Sequence, residues 1–133
     1  MSSNKIKNKL AGFVVKETEQ KEAMETGAQR NSRVGKGRFD LIPVESLTRL
    51  AKHYEAGASM HGERNWEKGM YYSRLLDSAM RHISQFMSGD TEEDHLAAAC
   101  WNLFAIMHFQ KYGTLSLDDR PSYISNDSEY FMP

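Results

Sequence analysis

Two apolar stripes at helical spacing dominate the middle of the chain, between residues 72 and 109. The first stripe recurs at steps of three and four, as on one face of a helix, and comprises Leu75, Leu76, Ala79, Met80, Ile83, Phe86 and Met87. The second comprises Leu96, Cys100, Leu103 and Met107. Ser88-Gly89-Asp90 separates them and is typical of a turn. The pattern predicts two helices joined by this turn, the second ending near Tyr112-Gly113, where glycine suits a C-terminal cap.

Polar residues edge the second predicted stripe. Thr91 is placed to cap that helix, with Asp94 three residues on as a capping-box partner. On the same helix Glu92, His95 and Asn102 would lie within about 80° of one another. An acid, an imidazole and an amide beside a buried seam predict a functional site. Helix-dipole complementarity at Glu92 and a cross-linking role for Asn102 are the structural alternatives.

The first of the two helices carries a second polar set. Asp77 and Arg81 are four residues apart and are spaced to form an ion pair. His82 lies at the border between the polar and apolar faces. It is either a hydrogen-bonded structural histidine or part of the site.

An earlier helix is predicted from Pro43, whose missing N–H costs nothing at a helix start. Its pattern breaks at Gly57, and Glu45 is spaced to pair with Arg49. Its apolar face comprises Val44, Leu47, Leu50, Ala51 and Tyr54. Residues 61–69 form a polar loop containing Asn65 and Trp66, and the tryptophan either packs on the helices or stacks on a flat ligand.

The flanking segments are less regular. Residues 1–33 are predicted to be a flexible basic arm, with a short strand or turn at residues 13–15. In residues 34–44, glycines flank Lys36, while Arg38 and Asp40 lie on an extended segment. That segment is either a structural turn or a phosphate-binding loop. Residues 114–133 form a tail expected to wrap a neighbour, because its large apolar residues would otherwise face water: Tyr123, Ile124, Tyr130, Phe131 and Met132.

Composition narrows the function classes. A chain of 133 residues is about one domain, with the helical part at residues 34–113. The net charge is −1. Residues 1–38 contain nine Lys/Arg and four Glu, but the basic residues lack interleaved aromatics. The sequence therefore gives little support for nucleic-acid binding. Cys100 is the single cysteine and is expected to be a small buried residue. Because no signal peptide or membrane span is evident, we expect a cytoplasmic, all-α protein.

Carboxylates from several helices suggest a metal site. Carboxylate oxygens suit Mg²⁺ or Mn²⁺, and the candidate ligands are Glu45, Asp77, Glu92 and Asp94. His82 and His95 are candidate ligands or orienting groups, and Lys36, Arg38 and Arg81 would neutralise a polyphosphate. Metal bridging of phosphate oxygens with attack by water is the corresponding chemistry.

Four ordered blocks carry a family resemblance over residues 26–121. They read TGAQRNSRVGKGRFDLIPVESLTRLAKHYEAGA, GERNWEKG, SRLLDSAMRHISQFMSGDTEEDHLAAACWNL and LDDRP. In these blocks the chain resembles phage-associated dATP/dGTP diphosphohydrolases, relatives of MazZ among the MazG-like all-α nucleotide pyrophosphohydrolases.

The resemblance implies an oligomeric helical bundle that binds Mg²⁺ or Mn²⁺ and cleaves a purine deoxynucleoside triphosphate to monophosphate and pyrophosphate. It points to Arg81, His82 and His95 as catalytic residues, and to Arg38, Asp40, Asn65, Trp66 and Asn102 as substrate contacts. It also points to Glu45, Glu92 and Asp94. Lys36 is a candidate substrate contact from its charge and its flanking glycines alone. A phage protein of this kind would act in the host cytoplasm.

One feature departs from the wider MazG pattern, which pairs ExxE on one helix with ExxD on the next. Here the first helix offers only Asp77 followed by Arg81-His82, and the second offers Glu92-x-x-His95. The alternative function is therefore a non-catalytic protein of the same fold that sequesters nucleotides or binds a partner.

Overall fold

The computed structural model describes the backbone of residues 5–10 and 13–17, and residues 20–122 in full. The chain divides into two units, Met1–Leu41 and Ile42–Pro133. The described part of the protein is mostly helical, and the three α-helices found in it belong to the second unit. The apolar tail residues named above, from Tyr123 onward, lie outside the described residues.

The first unit contains two antiparallel hairpins. In the first hairpin β1 (Lys5–Leu10) pairs with β2 (Phe13–Glu17), and in the second β3 (Lys21–Ala23) pairs with β4 (Gln29–Asn31). Of the short strand or turn expected at residues 13–15, the structure has the strand. The other strands were not predicted, because the polar, charged sequence around them lacks the alternating apolar pattern of a half-buried strand.

The second unit has three α-helices between residues 42 and 122, the part of it that is described. They are α1 (Val44–His61), α2 (Tyr72–Met87) and α3 (His95–Tyr112), with short 3-10 turns at Asn65–Lys68 and Leu115–Leu117. Pro43 precedes α1, Ser88 follows α2 and Gly113 follows α3, as the sequence predicts. Gly89 has φ of +88°, a left-handed conformation that suits glycine in the turn after α2.

Two predicted helix boundaries are wrong. Helix α1 continues through Gly57 to His61, because one glycine costs a helix interior only about 1 kcal/mol. Helix α3 begins at His95 with Asp94 as its N-cap, so Thr91 does not cap it. Glu92 therefore precedes the helix and does not share a helical face with His95 and Asn102.

Helices α2 and α3 form an antiparallel pair around the core. The buried cluster comprises Tyr72 and Leu75 from α2, and Ala105 and Phe109 from α3. The partly buried side chains packed against it are Trp66, Met70, Trp101, Ile106 and Leu117. Helix α1 runs beside α3 in the same direction, since Arg49 meets Asp94 and Tyr54 meets Trp101.

The face of α3 predicted to be buried is instead exposed, Cys100 included. The buried face comprises Ala97, Ala98, Ala99, Asn102, Ala105 and Phe109. Helix α3 is apolar on most sides, so the spacing of apolar residues does not identify which face is buried. Its alanines are small enough to lie between closely packed helices. On α2, Leu75 and Ala79 are buried as predicted, whereas Met80, Ile83, Phe86 and Met87 are exposed.

None of the helices in the described part of the chain is long and apolar enough to cross a bilayer.

Candidate metal and nucleotide site

Two histidines meet where α2 and α3 pack against each other. His82 lies near the end of α2, and His95 is the first residue of α3. Because the helices are antiparallel and joined by a short turn, these positions become neighbours in space. The two Nδ1 atoms are 2.9 Å apart, and the ring centres are 5.2 Å apart. Two histidines that the sequence marked separately therefore belong to one cluster.

Two carboxylates face the His95 ring, whose side chain is only 1% exposed. Glu93 Oε2 lies 3.9 Å from His95 Nδ1, and Asp90 Oδ2 lies 3.4 Å from His95 Nε2. The second distance is too long for a well-formed hydrogen bond. Among the described residues, no group completes a hydrogen bond to that buried Nε2. One atom each from His82, Glu93 and His95 lies within 4.8 Å of the other two, a grouping able to hold a metal ion.

The environment of His82 favours its neutral form. Burial lowers the pKa of the imidazole, and the positive fields of His95, His53 and Arg81 act in the same direction, while Glu93 opposes them. A neutral imidazole has a free nitrogen lone pair that can accept a proton or bind a cation. His82 therefore has the protonation state that metal binding or base chemistry requires near neutral pH.

Asp94 lies beside the cluster but is engaged elsewhere. It accepts a hydrogen bond from the Ala97 backbone N–H at 3.1 Å, as the N-cap of α3. Arg49 binds the same carboxylate in a two-pronged contact, with nitrogen–oxygen distances of 2.8 and 2.6 Å. The Arg49 contact lowers the pKa of Asp94 from 3.8 to about 2. Arg49 thus pairs with Asp94, and not with Glu45 as its spacing suggested.

We expect Asp94→Ala to lower the free energy of unfolding by about 1–2 kcal/mol at neutral pH. It removes both an N-cap, typically about 1 kcal/mol, and a partly exposed ion pair, about 0.2–1 kcal/mol. Asp94→Asn keeps a capping oxygen and should cost about half as much. Because folding lowers this pKa, the wild-type contribution is present above pH 3.8 and is lost as the pH falls toward 2. Urea unfolding at several pH values measures it, and equal costs for the two variants at neutral pH would contradict it.

Asn102 connects α3 to α2. Its buried side-chain amide donates to the Ala98 carbonyl at 2.8 Å and to Ser78 Oγ at 3.3 Å. The cross-linking alternative considered for this residue is therefore observed.

Two adjoining cavities lie in the helical unit. One, of about 460 Å³, has His82, Asn102, His53 and Arg74 in its wall. The other, of about 430 Å³, has Asn65 and Trp66 in its wall. Gly57, His61, Met70 and Trp101 line both. Their volumes are within the range of small-molecule pockets, and the first brings the His82 side of the cluster to a cavity wall.

Trp66 packs among other aromatic rings, which is the structural one of the two roles considered for it. Its ring centre lies 4.9 Å from that of His108, 5.8 Å from Phe109, 6.2 Å from Tyr54 and 6.3 Å from Trp101. All four contacts are edge-to-face. Trp66 therefore forms a fixed wall of its cavity.

The other predicted site residues are not part of the histidine cluster. Asp77 and Arg81 form the predicted ion pair on the exposed side of α2. Glu45 and Glu92 are exposed. In the first unit, Arg38 and Asp40 form a two-pronged ion pair at 2.8 Å, and Lys36 lines a cavity of about 870 Å³ together with Arg30 and Arg33.

A family model described as dATP/dGTP diphosphohydrolase, N-terminal, matches residues 26–120. The chain belongs to this family. The description of the family names hydrolysis of dATP and dGTP. No curated protein and no solved structure matches the chain.

Three side chains around this candidate site are not predicted by the sequence patterns. They are Asp90 and Glu93 around His95, and Arg49 on Asp94. An aspartate immediately before an apolar run is a cap signal, and it would have placed the start of α3 at His95. No spacing rule identifies Asp90 or Glu93, because both lie in the turn before the helix.

Proposed function

We propose that the protein is a metal-dependent diphosphohydrolase that converts dATP and dGTP to their monophosphates and pyrophosphate. Family membership supports the reaction class. The observation that carries the proposal is the His82–His95 contact at 2.9 Å, with Glu93 beside it and a cavity of about 460 Å³ on the His82 side. Nitrogen and oxygen donors next to a nucleotide-sized space are what this chemistry requires.

In this reaction a water oxygen attacks the α-phosphorus and the bond from that phosphorus to the bridging oxygen breaks. Pyrophosphate leaves with the bridging oxygen, and the water loses one proton. A bound divalent cation would neutralise phosphate charge and make the α-phosphorus more electrophilic. The chain must therefore hold a cation, balance the remaining charge and accept a proton.

The predicted carboxylate ligands differ in how available they are. Asp94 is held by Arg49 and the Ala97 N–H, and Asp77 is held by Arg81. Glu45 and Glu92 have exposed side chains and stay predictions. The donors gathered in one place are those of His82, Glu93 and His95. This set fits a divalent cation, because it combines imidazole nitrogen with carboxylate oxygen.

Charge and shape around the two cavities suit a nucleotide. Arg74 and His53 share a wall with His82 and would face phosphate oxygens. The neighbouring cavity, with Trp66 and Trp101 as apolar walls and Asn65 as a polar group, would take the purine. The amide of Asn65 can donate to and accept from a base edge. Arg38 and Asp40 are proposed as further substrate contacts because of the family resemblance, and Lys36 because of its charge between two glycines.

The experiment that tests this function is hydrolysis of individual nucleotides by the full chain. We expect dATP and dGTP to be converted to monophosphate with Mn²⁺ or Mg²⁺ present, more slowly for dCTP and dTTP, and not at all with excess chelator. Chromatography of the nucleotide products gives the rates. Nucleotide binding by calorimetry without turnover of any triphosphate would favour the non-catalytic alternative.

We further propose that the protein is a homo-oligomer. Large apolar side chains that helical spacing marks for burial are exposed in one chain, including Met80 and Phe86 on α2, and Leu103 and Met107 on α3. Exposed apolar surfaces of this kind mark subunit contacts.

Light scattering coupled to gel filtration should therefore give a mass at least twice the 15.2 kDa of one chain. Met107→Glu should shift the mass toward the monomer, because it places a charge in the apolar contact. Ser59→Glu, which adds the same charge at an exposed position of α1 away from this surface, is the control. A monomeric wild-type protein at micromolar concentration would contradict this proposal.

A further inference from the structure

We propose that His82, Glu93 and His95 bind a first-row transition-metal ion in preference to Mg²⁺, with Asp90 orienting His95 from behind. The inference concerns the cofactor of the proposed hydrolase and so rests on the proposed function for its role, although ion binding is measurable by itself. It differs from the carboxylate ligands predicted by sequence, because two of the three donors are imidazoles.

The spacing of the two histidines suits a shared ion. Two nitrogens bound at about 2.0–2.1 Å are separated by roughly 2.9 Å at the right angle of an octahedral site, and by roughly 3.3–3.4 Å in a tetrahedral site. The Nδ1 atoms of His82 and His95 are 2.9 Å apart. Glu93 Oε2, now 3.9 Å from His95 Nδ1, belongs to a side chain that is 65% exposed and free to close on an ion by rotation. Three protein ligands leave positions for water or phosphate.

The tautomer of His95 points to the same arrangement. Its Nε2 is buried, and the atom facing it is the Asp90 carboxylate oxygen at 3.4 Å. A bare lone pair on Nε2 would face a negative oxygen, so the proton belongs on Nε2. The Nδ1 lone pair is then directed at His82 and Glu93. A histidine that ligates through one nitrogen and turns the other N–H toward a carboxylate is the usual arrangement around metal ions.

A hydrogen bond from the backbone holds the Asp90 carboxylate in position beside His95. Its Oδ1 accepts a hydrogen bond from the Glu92 backbone N–H at 2.9 Å, which leaves Oδ2 directed at His95. The donor chemistry then selects the ion. Imidazole nitrogen suits Co²⁺ and Zn²⁺ better than Mn²⁺, and Mg²⁺ prefers an all-oxygen shell.

The test is ion binding by the full chain after chelator treatment and gel filtration. Calorimetric titration with Co²⁺, Mn²⁺, Zn²⁺ and Mg²⁺ gives affinities, and visible absorption of Co²⁺ reports nitrogen ligation. We expect one Co²⁺ per chain, bound at least about 10-fold more tightly than Mg²⁺. A folded wild-type chain that binds no transition ion, or binds Mg²⁺ equally well, would overturn the assignment and leave the 2.9 Å contact as a hydrogen bond only.

Variants assign the ligands. His82→Ala should weaken Co²⁺ binding by more than about 100-fold, and Glu93→Gln and the orienting Asp90→Asn by about 10–100-fold each. Glu55→Gln is the control, because this carboxylate is exposed on α1 and has no place in the proposed site, and it should bind Co²⁺ as the wild type does. Circular dichroism verifies folding, and the exposed Glu93 keeps the test usable if His82→Ala is unstable.

The outcomes separate the two proposals. Loss of Co²⁺ with Glu92→Gln but not with Glu93→Gln would refute this ligand set, even if the protein hydrolyses nucleotides. Conversely, an ion held by His82 and Glu93 in a chain that cleaves no triphosphate would refute the proposed function and leave the metal site standing.

Discussion

His82→Ala is expected to lower kcat/KM for dGTP by at least about 100-fold, equivalent to about 2.7 kcal/mol of transition-state stabilisation. The imidazole is half-buried, and its Nδ1 lies 2.9 Å from that of His95. Alanine removes the nitrogen and leaves the His95 Nδ1 without its partner. General acid–base and metal-ligand roles are each worth losses of this size or more.

The rate loss distinguishes a chemical role for His82 from a structural one. Ser84→Ala, an exposed change on the same helix, should keep the wild-type rate, and both variants should keep the wild-type circular dichroism. If His82 is a metal ligand, raising the Mn²⁺ concentration should recover part of the rate. A folded His82→Ala protein that retains more than half of the wild-type kcat/KM would contradict the proposed site.

Phe109→Ala is expected to lower the free energy of unfolding by about 3–5 kcal/mol, the usual cost of removing a buried phenyl ring. Phe109 is 3% exposed and belongs to the core cluster with Tyr72, Leu75 and Ala105. The change also removes one of the rings against which Trp66 packs, at 5.8 Å. The total free energy of unfolding of a small domain is only about 5–15 kcal/mol, so the variant should be close to unfolding at 37 °C.

Chemical denaturation followed by tryptophan fluorescence measures this loss. Phe109→Leu should cost less than half as much, because it refills most of the volume, and Gln110→Ala on the exposed side should change stability by less than about 0.5 kcal/mol. A cost below about 1 kcal/mol for Phe109→Ala would mean that this ring is not the centre of the core.

Local signals in the sequence predicted where several elements begin and end. Pro43 before α1, the Ser88-Gly89 turn after α2 and Gly113 after α3 each act through the conformation of one or two residues. Such effects depend on the immediate neighbours alone. The sequence is therefore sufficient to predict them.

Which face of a helix is buried depends on the other helices. Helix α3 is apolar nearly all round, so the stripe of Leu103 and Met107 looked as suitable for the core as Ala98 and Ala105. The structure buries the alanines. Packing of the small side chains decides the outcome, and it depends on the position of α2.

In the candidate site, too, local sequence signals predict single residues, whereas helix packing decides which of them meet. His82 and His95 were each predicted from their residue type and position, but their contact depends on the antiparallel register of α2 and α3. Glu93 and Asp90 reach His95 only because α3 begins there and not at Thr91. Patterns along one helix cannot contain that information.

Identifying which phosphate bond of dGTP is broken tests the central claim most directly. Phosphorus NMR of dGTP incubated with the full chain and Mn²⁺, with the ion removed before recording, should show dGMP and pyrophosphate rising together in equal amounts. Neither dGDP nor free phosphate should accumulate early in the reaction. Unchanged dGTP, or dGDP and phosphate as the first products, would contradict the account.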